Sequence, residues 1–170
     1  EGDGAGRTTV VLGAGTLGLL TIAALRHLTD PGHLVAVAKH PAQRRLAREL
    51  GADTVIEPDE IRRGVRRLTG SMALGDGPIV RLAGGADVVF DCVGNSASIA
   101  DALDVTRPRG HVVLVGMPGT VEVDLTGLWH KELSLTGAYA YGEEPRAQRR
   151  RSFDLAFELV RKADLGRLVT

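Results

Sequence analysis

Apolar positions along this chain follow two periods that take turns. Thr8 to Leu12 is a short run rich in β-branched residues that enters Gly13 directly, and Leu17 to Leu28 is then apolar at helical spacing, which predicts strand, glycine turn and helix. Asp30-Pro31-Gly32 stops that helix. Leu34 to Ala38 is a continuous apolar run, as expected for a parallel strand buried on both faces. Pro41 to Leu50 predicts a second helix, with Gly51 at the C-cap place, and Thr54 to Ile56 a third strand. From Pro58 to Leu68, Ile61, Val65 and Leu68 share one helical face while Arg62, Arg63, Arg66 and Arg67 lie mostly on the other. Ser71 to Gly85 has no clear period and reads as a loop with at most one helical turn.

Regularity returns with a strand over Asp87 to Cys92, a helix capped by Asn95 or Ser96 and running to about Thr106, a turn at Pro108 to Gly110, and a strand over His111 to Gly116. A short helix around Leu125 to His130 and a strand over Leu133 to Ala138 follow. Pro145 to Lys162 predicts a final amphipathic helix with Phe153, Ala156, Phe157 and Val160 on its buried side. Strands that alternate with helices at this spacing need crossover connections, and these produce a parallel sheet covered on both faces. Six strands in two βαβαβ halves predict a doubly wound Rossmann fold. Its class is α/β, three-layer αβα, with strand order 3-2-1-4-5-6 and a ligand crevice between the first and fourth strand ends.

Composition narrows the picture without redirecting it. The 170 residues, 44% hydrophobic and 25% charged, suit one globular domain over 1–170, and the zero formal net charge offers no general attraction to a polyanion or an anionic membrane. We expect neither nucleic acid nor membrane as a partner. The basic run Arg146 to Arg151 follows Glu143 and Glu144 and reads as a solvated helix face, since no aromatic residues interleave it. No apolar stretch has the length of a membrane span, and the first residues lack the pattern of a signal peptide. The single cysteine, Cys92, rules out an internal disulfide and suits a reducing compartment, so the expected location is cytoplasmic.

Gly13-Ala14-Gly15-Thr16-Leu17-Gly18 is a G-x-G-x-x-G turn between a predicted strand and a predicted helix, the context in which the motif carries meaning. Gly13 permits the tight turn, Gly15 lets a pyrophosphate approach the backbone, and Gly18 lets the helix pack on the strands. Amides around Gly15 to Leu17 then face the phosphates at the positive end of the helix dipole. The acidic residue that commonly holds the adenosine ribose falls about 20 residues on, where this chain has Ala38, followed by Lys39, His40, Gln43 and Arg44. No carboxylate would repel a 2′-phosphate there, and cations stand nearby, which favours NADP(H) over NAD(H). The alternative is that Lys39 and His40 are ordinary solvated loop residues.

Four segments carry a wider likeness: VVLGAGTLGLL (10–20), RRLARELGADTVI (44–56), ADVVFDCVG (86–94) with RPRGHVVLVGMPG (107–119), and DLTGLWHKELSLTGAYAYG (124–142). Over nearly its whole length the chain resembles the coenzyme domain of the medium-chain dehydrogenase/reductase superfamily, zinc alcohol dehydrogenase type. The WHKEL run at 129–133 is most similar to sorbitol, threonine and related polyol or alcohol dehydrogenases. By this resemblance Gly13, Gly15, Thr16, Leu17 and Gly18 hold the pyrophosphate, and Ala38, Lys39 and His40 face the adenosine ribose. Cys92, Val93 and Gly94 line the crevice after the fourth strand. Val115, Gly116, Met117, Ala138 and Ala140 lie along the nicotinamide. Read from the residues alone, Val93 and Val115 could be core, and Cys92 a small buried hydrophobe.

The resemblance also implies what is absent. Zinc ligands, proton relay and substrate pocket belong to a separate catalytic domain in this superfamily, and the chain reads as a fragment without it. His27, His33, His40, His111 and His130 show no paired spacing and Cys92 has no cysteine partner, so we expect neither a metal site nor catalytic residues here. As a full-length protein the implied activity is hydride transfer between NAD(P) and an alcohol or carbonyl, with this part alone inactive. A zinc-free quinone or enoyl reductase and a non-catalytic nucleotide-sensing module remain as alternatives. The apolar sixth strand, free of proline and inward charge, implies a homodimer paired through that edge.

Overall fold

The computed structural model describes residues 6–74, 81–139, 141–144, 149–163 and 165–168. In chain order the elements are β1 (Thr8–Leu12), α1 (Thr16–Leu28), β2 (His33–Val37), α2 (Pro41–Glu49), β3 (Thr54–Ile56), a 3₁₀ turn (Pro58–Glu60), α3 (Ile61–Thr69), β4 (Ala73–Leu74) and β5 (Arg81–Leu82). Then come β6 (Ala86–Asp91), α4 (Ser96–Val105), β7 (Thr106–Leu114), α5 (Thr126–His130), β8 (Ser134–Gly137), β9 (Glu143–Glu144), β10 (Arg150–Arg151), α6 (Ser152–Lys162) and a closing 3₁₀ turn (Leu165–Leu168). The main sheet has six strands in the order β3-β2-β1-β6-β7-β8, every neighbouring pair parallel. This is the predicted Rossmann order.

Strand alternation sorts the core into two layers. Val10 and Leu12 face one side with Val35 and Val37, packing on Ile61 and Val65 of α3 and on Ile99, Ala102 and Leu103 of α4. Val11, Leu34 and Ala36 face the other side, against Leu19, Ile22 and Ala23 of α1, Ala47 of α2 and Leu159 of α6. Asn95 caps α4, its side-chain oxygen accepting from the Ser98 N–H at 2.9 Å while Ser98 Oγ accepts from the Asn95 N–H at 3.0 Å. The far end of α4 is held by Lys131. Its buried ammonium donates to the carbonyls of Leu103, Asp104 and Thr106 at 3.2, 2.6 and 3.0 Å.

Three expectations need correction. The stretch read as a loop contains an antiparallel pair, β4 with β5, because two-residue strands are too short to show a period. The turn expected at Pro108 to Gly110 is an irregularity inside β7: Ala86 pairs with Thr106 but Val88 with His111, and Arg109 has φ 59°. The last helix begins at Ser152 rather than Pro145, after a β9–β10 hairpin, and residues 145–148 lie outside the described set. Its supposed buried side faces outward, with Phe153, Ala156, Phe157 and Val160 exposed, while Leu159 and Ala163 enter the core beside α1. The helix carries two apolar stripes, and periodicity does not say which one meets the sheet.

Candidate functional site

The carboxyl ends of the three central strands are laced together where the crevice was expected. Gly13 N–H donates to Val37 O at 3.0 Å and Cys92 N–H to Leu12 O at 3.0 Å, so the ends of β2, β1 and β6 form one continuous floor. Gly13 turns the chain at φ +83°, and a Cβ at Gly18 would stand 1.8 Å from Gly13 O, so α1 leaves the sheet at a distance only glycine allows. Gly15 differs. A Cβ there would meet nothing within 4 Å, so no protein atom explains the glycine, and the open space above it is what a Cβ would fill. Gly15 is the N-cap of α1, with no side-chain capping bond and no acidic residue in the first turn. The first-turn N–H groups, which have no carbonyl partner within a helix, therefore face this space with Gly15, Thr16 and Leu17 all exposed. This cradle fits a pyrophosphate.

The adjoining cleft has a volume of about 460 Å³. Of the predicted site residues it gathers Gly13, Gly15, Lys39, His40, Cys92 and Val93, and it adds Gln43 from the stretch after the ribose position, the helix cap Asn95, and Pro58, Ile61, Ala97, Ser98 and Asp101, which carry no motif signal. Ala38 does not line it. Its side chain is 1% exposed within the α1 and α2 layer, and the cleft meets Lys39 and His40 instead. Arg44 is already engaged, forming an ion pair with Glu57 at 2.9 Å and donating to Lys39 O at 3.1 Å. Cys92 Sγ lies 3.6 Å from Thr21 Oγ1, and burial pushes its pKa up to about 11, so the thiol stays protonated near neutral pH.

The other end of the crevice is organised by Asp91, which sequence reasoning passed over. Its fully buried carboxylate accepts from Val93 N–H at 2.9 Å, Gly94 N–H at 3.1 Å and Ser98 Oγ at 3.0 Å. Its backbone carbonyl accepts from Val115 N–H at 2.9 Å and Gly116 N–H at 2.8 Å. One residue thus ties the turn after β6 to the turn after β7, which approach so closely that a Cβ on Gly116 would stand 2.6 Å from Val93 C. An acidic residue just before a tight turn was the available signal. Val93, Met117 and Ala138 are exposed on this side, Val115 is half-buried, and Ala140 lies outside the described residues.

A larger hollow of about 890 Å³ opens at the opposite, amino-terminal edge of the sheet, between Thr8, His33, Gly70 and Arg107. Its carboxylate is spent: Asp87 accepts from Thr8 N–H at 2.8 Å and Arg107 Nε at 2.7 Å. Ligands of open α/β sheets bind at the carboxyl ends, where the glycine cradle lies, and we take the smaller cleft as the site. Among the described residues no three His, Cys, Asp or Glu side chains converge to hold a metal, so the donors present do not fit zinc. No helix among the described residues is long and apolar enough to cross a membrane.

Comparison with known proteins identifies the family. L-idonate 5-dehydrogenase of Vitis vinifera is 30% identical over 164 residues, covering 95% of this chain and 41% of the relative. L-threonine 3-dehydrogenase of Caldanaerobacter subterraneus subsp. tengcongensis is 32% identical over 127 residues, covering 74% of this chain and 33% of the relative. A crystal structure from Sinorhizobium meliloti 1021, of a protein described as a zinc-binding dehydrogenase and bound to NADP, superposes with TM-score 0.64 at 26% identity, covering 91% of this chain and 43% of that one. The chain spans about two fifths or less of the length of these proteins. The zinc-binding dehydrogenase family model matches residues 16–162, and the chain belongs to that family as a coenzyme-binding domain of the medium-chain dehydrogenase/reductase superfamily.

Proposed function

We propose that this chain is the coenzyme-holding part of a longer oxidoreductase that moves a hydride between NAD(P) and an alcohol or carbonyl. The observation that carries the reading is the Gly15 cradle, where a helix N-terminus without a side-chain cap adjoins a cleft of about 460 Å³. The nicotinamide supplies the hydride chemistry when bound. The chain's own residues bind and orient: α1 amides take the pyrophosphate, Lys39 and His40 border the ribose, and Asp91 sets the two turns along the nicotinamide. In this reading zinc ligands and the substrate pocket lie outside residues 1–170, which accords with the share of its relatives that the chain spans.

We propose NADP(H) as the preferred coenzyme, with a smaller margin than the sequence implied, because Arg44 is committed to Glu57. Lys39 is exposed and makes no ion pair among the described residues, so one screened contact to a 2′-phosphate remains, worth up to about fivefold in affinity. Calorimetric titration at low ionic strength should show NADPH binding more tightly than NADH, and Lys39→Ala should weaken only NADPH. Equal or tighter NADH binding would defeat the preference. The 170-residue chain should bind coenzyme without alcohol-dependent reduction, with or without zinc, and stoichiometric zinc binding with turnover would overturn the division of labour. We propose a cytoplasmic setting and a homodimer through β8. Among the described residues that strand pairs only with β7, and all four of its residues are exposed; a monomer by light scattering at high concentration would refute the dimer.

A further inference from the structure

The cleft contains a carboxylate that nothing above has used. Asp101 sits on α4 one turn beyond Ala97, both lining the cleft, with Pro58 and Ile61 on the wall formed by the start of α3. The side chain is half-buried, and among the described residues it accepts no hydrogen bond and joins no ion pair. The neighbouring Arg62 guanidinium is committed to Asp104 at 2.8 Å. Burial pushes the Asp101 carboxyl above the ordinary carboxylate range, with Arg62 opposing the shift and Asp104 and Asp91 adding to it. A partly desolvated acceptor without a donor costs free energy until a ligand supplies one.

The surroundings restrict what that ligand group can be. Pro58, Ile61 and Ala97 add apolar surface to the lining, which suits the face of a flat ring, while Asp101 adds an acceptor. Gly15, Lys39 and His40 line the same cleft, so a dinucleotide with its pyrophosphate at Gly15 would bring its base into the space that Asp101 borders. We propose that Asp101 reads the base: its carboxylate accepts a hydrogen bond from the exocyclic amino group of adenine and makes the cleft selective for a 6-aminopurine. A 6-oxopurine would set a carbonyl oxygen against the carboxylate, two acceptors facing each other with no proton between them. The proposal rests on the coenzyme reading and refines it at one residue.

The test is calorimetric titration of the full chain with NADPH and with its hypoxanthine counterpart, in the wild type, Asp101→Ala and Asp101→Asn. The wild type should prefer the adenine coenzyme by at least about tenfold, the scale of one well-made hydrogen bond to a charged group. Asp101→Ala should lose most of that preference, because it removes the acceptor for the adenine amine and, with it, the clash with the hypoxanthine carbonyl. Asp101→Asn should bind both within about threefold, because an amide can turn to accept from the amine or donate to the carbonyl. Comparing two ligands within one variant makes the ratio independent of how much of that variant is folded. A wild type that binds both equally, or a preference that survives in both variants, overturns the base-reading role and leaves the coenzyme site standing. A wild type that binds neither overturns both.

Discussion

Replacing Gly15 with serine should move stability and coenzyme affinity in opposite directions. The backbone there is at φ −76° and ψ −169°, open to any residue, and an added Cβ meets no protein atom within 4 Å. Serine is a better N-cap than glycine by a few tenths of a kcal/mol, and losing a glycine from the unfolded chain adds about 0.4–1 kcal/mol. The sum is about 0.5–1.5 kcal/mol of added stability, or roughly 1–6 °C in Tm for a chain of this size. Binding should suffer for the same reason, since the serine hydroxyl would occupy first-turn N–H groups that the phosphates need. Each charge-assisted bond lost is worth about 1.5–3 kcal/mol, so NADPH affinity should fall at least about tenfold. Gly18→Ala is the control with the other sign, because its Cβ would overlap Gly13 O at 1.8 Å and should cost about 3 kcal/mol or more. Thermal melts and calorimetry on the two variants decide the matter. A Gly15→Ser protein that binds NADPH within twofold of wild type would show that the open space over Gly15 is not where the phosphates sit, and one that melts below wild type would refute the capping argument.

Two further outcomes follow from the fold. Lys131→Met keeps the aliphatic stem but leaves the carbonyls of Leu103, Asp104 and Thr106 without their ammonium, so urea unfolding should show a loss of about 2–4 kcal/mol, and a change under 1 would refute the pin. Asp87 has its pKa lowered: burial raises it, but the Thr8 N–H and Arg107 overcome that, so its contribution is fully present above pH 4 and is lost as pH falls through the lowered native value. Asp87→Asn should therefore flatten the acid limb of the stability profile below about pH 4, and an unchanged limb would show that the carboxylate is not coupled to folding.

What the sequence determined by itself was whatever is written in adjacent residues. Alternation of apolar runs specified six strands joined by helices, and G-x-G-x-x-G specified the turn at Gly13 and the helix start at Gly15, because a strand period, a positive φ and a helix cap are local properties of the chain. The tertiary structure decided whatever depends on partners far away in sequence. Asp91 is one residue of a predicted strand until its carbonyl meets Val115 and Gly116, and Lys131 lies in a run noted only for its family likeness until its ammonium reaches carbonyls 25 to 28 residues earlier. Arg44 stood as a free cation for a phosphate until β3 delivered Glu57 to it. The final helix offered two apolar stripes, and only packing on α1 selected Leu159 over Phe157. Asp101 belongs with these, since nothing in its neighbours along the chain says that Ile61 and Lys39 will share its cleft. Periodicity reports which face a residue occupies within its own element, whereas charge pairing, burial and the shape of a cleft are set by how elements meet.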